Sequence, residues 1–254
     1  MISKNRKRFI ISLQRKKVRD EEKLFVIEGD KLVTEFLSLK IPLKTIIGKP
    51  EILKTLGPLL ADFHGETDEV TDRELKEMST FATPHNVMAV VRMPDLEFNE
   101  AKILNELCMA LSFIQDPGNL GTIIRAAGWF GIRNIICSPD CVDLYNPKVI
   151  QASMGAILNV NVHYSDLKEF LSTASDKNIP VFGTLLEGDS IYAHKLDIKG
   201  VILLGNESKG ISDELLPYIT NKIMIPRFTP SNHGMDSLNV GMAASIVLSE
   251  FRRR

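Results

Sequence analysis

The chain has 254 residues, 44% hydrophobic and 25% charged, a globular composition with length enough for one or two domains. A formal charge of −1 excludes a protein that is basic all over. No apolar run approaches the ~20 residues that span a bilayer, and the early FIISL is too short for a secretory core, so a soluble cytoplasmic protein with no membrane association is expected.

The opening MISKNRKRFIISLQRKKVRDEEK carries nine Lys or Arg against three acids. Such a concentration suits a phosphate-binding edge, and it also suits an ordinary solvated face. Strand LFVIEG, the helical pattern DKLVTEFLSLK, strand LKTIIG and, after the turn ATPHN, strand VMAVVR follow. They predict a small α/β domain over residues 1–93. Pro94 and the mixed polarity of PDLEFNEAK then predict a linker over 94–104.

Over 105–254, apolar strand-like runs (CMALSFIQ, NIICS, LNVNVH, PVFGTLL, VILLG, KIMIP) alternate with helical patterns. Continuous apolar strands separated by helix-length segments indicate a parallel sheet covered on both faces, whose ligands sit beyond the carboxyl ends of the strands. Three loops occupy that position: DPGNLG, GNESKG and IPRFTPSNHGMDSLN. Cys108, Cys137 and Cys141 lack zinc spacing and are expected to be buried free thiols, with no disulfide and no metal.

In the first loop Asn119 is placed to cap a helix whose Leu120, Ile123, Ile124 and Ala127 form the core face. Arg125 points elsewhere. Gly121 and Gly128, at i−4 and i+3, are expected to leave its stripe open to something as bulky as a sugar-phosphate backbone; stacking on Trp129 is the alternative. The second loop, in VILLGNESKGIS, resembles a phosphate cradle in outline only. A P-loop needs Lys directly after its second Gly, whereas here Lys209 precedes Gly210 and the acid Glu207 sits mid-loop. A tight strand-to-helix turn is expected instead, with Ser212 as N-cap and Asp213 and Glu214 in the first turn. Glu207 could pair with an Arg, accept a proton or satisfy turn amides. In the third, Ser237 and Asn239 stand at a helix start. Beyond them Val240, Ala243, Ala244, Val247, Leu248 and Phe251 form one apolar face, and Leu238, Met242 and Ile246 a second. A helix apolar on two sides needs two partners, its own sheet and a second subunit.

Taken in order, Asn119-x-Gly121-x-x-x-Arg125, Ser153-Met154-Gly155-Ala156, Gly205-Asn206-Glu207-x-x-Gly210, and Ile225-Pro226 with Ser237-Leu238-Asn239-Val240 resemble the ordered motifs of the SpoU/TrmH RNA methyltransferases of the SPOUT superfamily. Upstream, Phe25-Val26-Ile27-Glu28-Gly29 and Thr83-Pro84-His85-Asn86-Val87 resemble a ribosomal-protein-like RNA-binding domain that many members carry. The resemblance implies methyl transfer from S-adenosylmethionine to a ribose 2′-hydroxyl, most readily in ribosomal RNA and next in transfer RNA. It implies a homodimer, and a C-terminal trefoil knot that periodicity could not reveal. It also implies a cofactor site formed by Thr184, Gly205, Ile225 and Leu238, and a catalytic group of Arg125, Asn119, Glu207, Ser237 and Asn239. Gly205 and Gly210 would let backbone approach the adenosyl group. Family proposals make Arg125 the base, an awkward role for a guanidinium with a pKa above ~12. Arg125 is read here as the cation that holds the target phosphate and stabilises developing alkoxide charge, with a base reached through a phosphate oxygen or Glu207 as the other route. The 227–236 loop is longer than the family's, bringing Arg227 and His233, and Asn86 stands where the family has Gly. A non-catalytic RNA-binding or ribosome-associated protein on the same fold is the competing reading, and a small-molecule or nucleotide-binding α/β protein a third.

Overall fold

A computed structural model of the chain describes residues 2–193, 196, 198–229 and 237–253. They form two compact units, one of Met1–Asp95 with Tyr145–Gly155, the other of Leu96–Leu144 with Ala156–Arg254.

The first unit is built on β1 (Leu24–Glu28), β2 (Leu43–Gly48), β3 (Glu66–Glu69) and β4 (Val87–Arg92), in the order β1-β4-β2-β3. The apolar run of β4 is buried through Val91 because β1 and β2 flank it, both antiparallel to it. ETDE of β3 is an exposed edge strand parallel to β2. Its lack of apolar alternation is why no strand is predicted there, and its charges suit an edge that must not recruit another chain. Ile10 and Leu13, from the helix Lys4–Ser12 and its C-cap, pack in one core with Leu75, Met78, Ile47, Met88 and Val90. The helix Asp72–Met78 starts at a capping box in which Thr71 and Glu74 satisfy each other's backbone N–H groups.

The basic start is largely used up inside this unit. Arg6 pairs with Glu66 and with Asp68 (2.9 Å), Lys7 with Glu77 (2.7 Å), and Lys16 and Lys17 with Asp20 and Glu21 one helical turn on. Arg19 is buried and donates to the carbonyls of Leu13 (2.9 Å) and Gln14 (2.7 Å). Among the described residues Lys4, Arg8, Arg15 and Lys23 have no ion-pair partner, so the expected phosphate-binding edge shrinks to these four.

By its contacts Tyr145–Gly155 groups with this unit. Tyr145 lies 4.5 Å, centroid to centroid, from Phe25, and the helix Pro147–Ser153 closes on left-handed Met154 and Gly155. The segment 94–104, expected as a linker, carries structure of its own. The helix Glu100–Ile103 lies inside 94–104, and Ile103 and Leu104 are buried in the core of the second unit with Phe170, Leu171, Val181 and Leu203. Apolar side chains so placed cannot belong to a free tether.

The second unit is a six-stranded sheet of β5 (Leu107–Leu111), β6 (Asn134–Cys137), β7 (Asn161–Tyr164), β8 (Val181–Ser190), β9 (Gly200–Leu204) and β10 (Asn221–Met224). All neighbouring pairs are parallel, in the order β10-β8-β9-β5-β6-β7. β5 and β9 are buried at every position, as strands covered on both faces must be. From β5 the chain moves outward to β6 and β7, whereas from β9 it moves the other way, past β8, to β10. Adjacent β5 and β9 therefore form the topological switch point, where such sheets bind ligands. Asp213–Tyr218, read from sequence as an α-helix, is a 3₁₀ helix with Pro217 inside it. Its flanking Ser212 makes no side-chain cap; its hydroxyl instead meets that of Ser112 at 3.1 Å. Among the described residues no helix is long and apolar enough to cross a membrane.

Candidate active site

The loop after β5 runs into the helix Pro117–Trp129. Asp116, not Asn119, is the N-cap: its carboxylate accepts the Asn119 N–H at 2.8 Å, and Pro117 occupies the first helical position. The Asp-Pro pair was the available signal. Relieved of capping, the Asn119 side chain is free for tertiary contacts. Its Nδ2 donates to Glu207 Oε1, and its Oδ1 accepts from Asn239 Nδ2 at 2.8 Å. Asn239 in turn caps the last helix, Val240–Arg252, accepting from the N–H groups of Gly241 (3.0 Å) and Met242 (3.2 Å). Three predicted residues from three separate loops are thus joined in one chain of hydrogen bonds beside the β5–β9 switch point. Glu207 keeps its second oxygen without a hydrogen bond among the described residues.

Leu120, Ile123, Ile124 and Ala127 are buried as their spacing requires, and Arg125 is exposed. Among the described residues Arg125 has no ion pair, hydrogen bond or ring contact, so the predicted alternative of stacking on Trp129 is not adopted. The glycines do not act as expected. Gly121 is buried, and a Cβ on Gly128 would sit 3.3 Å from that of Ala156. Gly128 serves close packing of the helix, and Arg125 owes its freedom to the exposed face it occupies. Ser237 is exposed, with no hydrogen bond among the described residues joining it to the Asn119 network.

The loop after β9 is closed on itself. Asn206 and Gly210 exchange backbone hydrogen bonds (3.0 and 2.9 Å), and Asn206 Oδ1 accepts from the N–H groups of Ser208 (2.9 Å) and Lys209 (3.1 Å). A Cβ on Gly205 would overlap the Gly210 carbonyl, while Gly210 itself has φ +71°. Both glycines are required by their own turn. The Cys141 thiol is drawn down to about 7 by its hydrogen bond to Cys137, with Ser138 and the Ile114 N–H adding to it, and burial pushes Cys108 up to about 12. All three cysteines are free and buried.

Four further residues expected at the cofactor are distributed as follows. Thr184 stands where β8 leaves its ladder: Gly183 pairs with Lys222, but the next β10 residue, Ile223, pairs with Asp189. The Thr184 hydroxyl is buried without a hydrogen-bond partner among the described residues, a group for which a bound ligand or water would provide one. Ile225 follows β10 and is half-buried, Gly205 follows β9, and Leu238 is exposed just before the last helix. An orphaned buried hydroxyl where neighbouring parallel strands part fits a ligand with a polar edge. Arg227 is exposed and donates to Thr229 (3.2 Å). His233, with the rest of 230–236, lies outside the described residues.

Comparison with known proteins bears on this geometry. Residues 106–249 match the family model of the SpoU rRNA methylases, and residues 4–89 that of the MRM3-like substrate-binding domain. The chain is 26% identical, over 94% of its length and 93% of the relative's, to the Bacillus subtilis 23S rRNA (guanosine(2553)-2′-O)-methyltransferase RlmP. It superposes with a TM-score of 0.88 and 35% identity on a TrmH-family protein from Porphyromonas gingivalis, covering 100% and 99% of the two chains. An AdoMet-bound rRNA methyltransferase from Sinorhizobium meliloti gives 0.85 and 27%, covering 100% and 96%. The match spans more than half of the chain and takes in every residue of the Asn119 network: the chain belongs to the SpoU rRNA methylase family.

Proposed function

We propose that this protein transfers a methyl group from S-adenosylmethionine to a ribose 2′-hydroxyl of ribosomal RNA, acting as a cytoplasmic homodimer. The observation that carries the reading is the Glu207–Asn119–Asn239 chain of hydrogen bonds at the switch point, set on the same helix that leaves Arg125 unpaired. Bound S-adenosylmethionine supplies an already electrophilic sulfonium methyl. What remains for the protein is alignment and stabilisation of charge on the ribose oxygen. Thr184, Gly205, Ile225 and Leu238 would hold the cofactor. Arg125 binds the phosphate next to the target ribose and stabilises the developing alkoxide. Asn119 and Asn239 fix the distance between the loops, Ser237 contacts the substrate at the mouth, and the free oxygen of Glu207 accepts the hydroxyl proton directly or through a phosphate oxygen.

Ribosomal RNA is favoured because the B. subtilis and S. meliloti relatives are named for it; transfer RNA is the second substrate class. The strand order β10-β8-β9-β5 is read as the frame of the knotted C-terminal chain that the family resemblance implies. The dimer is supported by the helices Pro117–Trp129 and Val240–Arg252. Thr122 packs onto Gly241 between them, yet Trp129 (87% exposed), Met242 (61%) and Leu238 (40%) face outward. Large exposed apolar groups towards both ends of this packed helix pair suit a second copy of the same surface.

The test is transfer of radiolabelled methyl from S-adenosylmethionine to ribosomal and to transfer RNA, followed by mapping of 2′-O-methyl sites in cells lacking the protein. Label in ribosomal RNA and one missing ribose methyl support the reading. Absence of transfer, together with no calorimetric heat on adding S-adenosylmethionine or its demethylated product, would establish the non-catalytic alternative.

A further inference from the structure

Phe113, which no motif singles out, has the most unusual backbone near the site. It lies at the carboxyl end of β5 with φ +59°, a left-handed conformation that crowds the Cβ of any L-residue and is a genuine outlier for a bulky side chain. Such conformations persist where surrounding contacts over-determine them, and they gather at functional sites. The contacts here come from two other loops. From the loop after β6, Ser138 Oγ accepts the Phe113 N–H at 3.0 Å. From the loop after β9, Asn206 Nδ2 donates to the Phe113 carbonyl at 3.2 Å, and Lys209 Nζ lies 3.9 Å from the centre of the Phe113 ring.

The neighbours of Phe113 are held in the same way. Ser112 donates its N–H to the Leu204 carbonyl (2.9 Å), and Ile114 donates its N–H to Cys141 Sγ (3.2 Å) and accepts from the Val142 N–H (2.8 Å). Residues 112–114 are therefore anchored on both sides of the strand end. Asn206 and Glu207 are consecutive, so the loop after β9 is tied twice to the loop after β5, at Phe113 and at Asn119. The first tie sets where the chain enters the 113–119 segment, and the second joins the residues that face the substrate.

We infer that Phe113 is a positioning residue for methyl transfer: its left-handed backbone, clamped by Ser138, Asn206 and Lys209, sets the spacing between the Asn119 and Glu207 loops. This rests on the proposed function. The part that matters is the backbone conformation; the ring serves to hold it under Lys209. Glycine reaches the left-handed region without steric cost and β-branched residues are the poorest there, so substitutions at 113 separate conformation from side-chain size.

Purified full-length variants would be compared for kcat, KM for RNA, affinity for S-adenosylmethionine by calorimetry, and Tm. Phe113→Val is expected to lower kcat roughly five- to thirtyfold with cofactor affinity and KM little changed, and Phe113→Gly to recover most of that loss. Lys209→Ala, which removes only the clamp over the ring at an exposed position, is expected to lower kcat by roughly two- to fivefold without moving Tm. A merely structural role would move Tm in all variants and leave kcat per folded molecule unaltered. If Phe113→Val does not fold, Phe113→Ala, with a Cβ but no branch, takes its place and is expected between the Val and Gly variants. Wild-type turnover in folded Val or Ala variants, or a Gly variant as impaired as they are, overturns the inference while leaving the methyltransferase reading intact. Failure of the wild-type protein itself to bind S-adenosylmethionine and methylate RNA overturns that reading instead.

Discussion

The N-terminal helices and the helix Pro117–Trp129 make opposite use of positive charge. Between Lys4 and Lys23 the sequence concentrates nine cations, yet the fold meets Arg6, Lys7, Lys16 and Lys17 with carboxylates and buries Arg19 against backbone carbonyls. The helix after β5 carries one cation, Arg125, and leaves it exposed without a partner among the described residues. A cation already paired in the folded protein offers little net attraction to phosphate, because a ligand must displace the existing partner and desolvate the group again. Charge density along the sequence is therefore a poor guide to charge available for binding. An unpaired Arg on the helix that carries Asn119 is more available to phosphate than a paired cluster.

The sharpest way to break this contrast is Arg125→Ala, which should lower kcat roughly 100- to 1,000-fold, as removal of a group stabilising transition-state charge does, with calorimetric affinity for S-adenosylmethionine retained. Normal methylation by that variant would remove Arg125 from the chemistry. Next in size is the outward apolar face of the same helix. Trp129→Asp should weaken self-association by about 2 kcal/mol or more, roughly thirtyfold, seen as a shift from dimer to monomer in light scattering. An unchanged mass would place the subunit interface elsewhere.

Smaller effects are expected in the N-terminal unit, and they divide by pairing. Replacing Lys4, Arg8 and Arg15 with Ser should reduce RNA affinity and flatten its salt dependence, by about 0.7 in log–log slope for each single-strand phosphate that is no longer neutralised. Replacing the paired Arg6 and Lys7 should leave that slope alone and lower thermal stability instead. Equal slopes for both sets would refute the distinction between paired and unpaired cations. The smallest effect is a matter of pH. The hydrogen bond from Lys7 holds the Glu77 carboxyl below its usual 4.5, so the contribution of this pair is fully present above that value and is lost as pH falls through the lower folded value. Denaturant unfolding should show a stability gap between wild type and Lys7→Met at neutral pH that closes as the medium is acidified below the ordinary carboxylate range. A constant gap would mean that Lys7 contributes by packing rather than charge.

Sequence reading succeeded where a local pattern has a single physical solution. The apolar faces of Pro117–Trp129 and Val240–Arg252 are buried as their spacing requires, and the continuous apolar runs became parallel strands. It failed where two patterns competed. Asn119 looked like a cap, but Asp116 stands next to Pro117 and takes that role, which frees Asn119 to reach Glu207 and Asn239. Gly128 looked like open space and is a site of close packing. The strand Glu66–Glu69 has no apolar signature, because an exposed edge needs none. Nothing local marks Tyr145–Gly155 as belonging to the first unit, and nothing marks Phe113 as left-handed.

By itself the amino-acid order determined the α/β class, the positions of most strands, the residues of the ordered motifs and, through them, the family. Periodicity and turn chemistry act over a few residues and leave a readable trace there. Tertiary structure alone decided which cations remain unpaired, that Asn119 bridges instead of capping, and how the Asn119 loop meets the loops of Glu207 and Asn239, 88 and 120 residues further on, beside β5 and β9. Those outcomes depend on partners brought together only when strands distant in sequence pair side by side, and no window of sequence contains both members of such a pair.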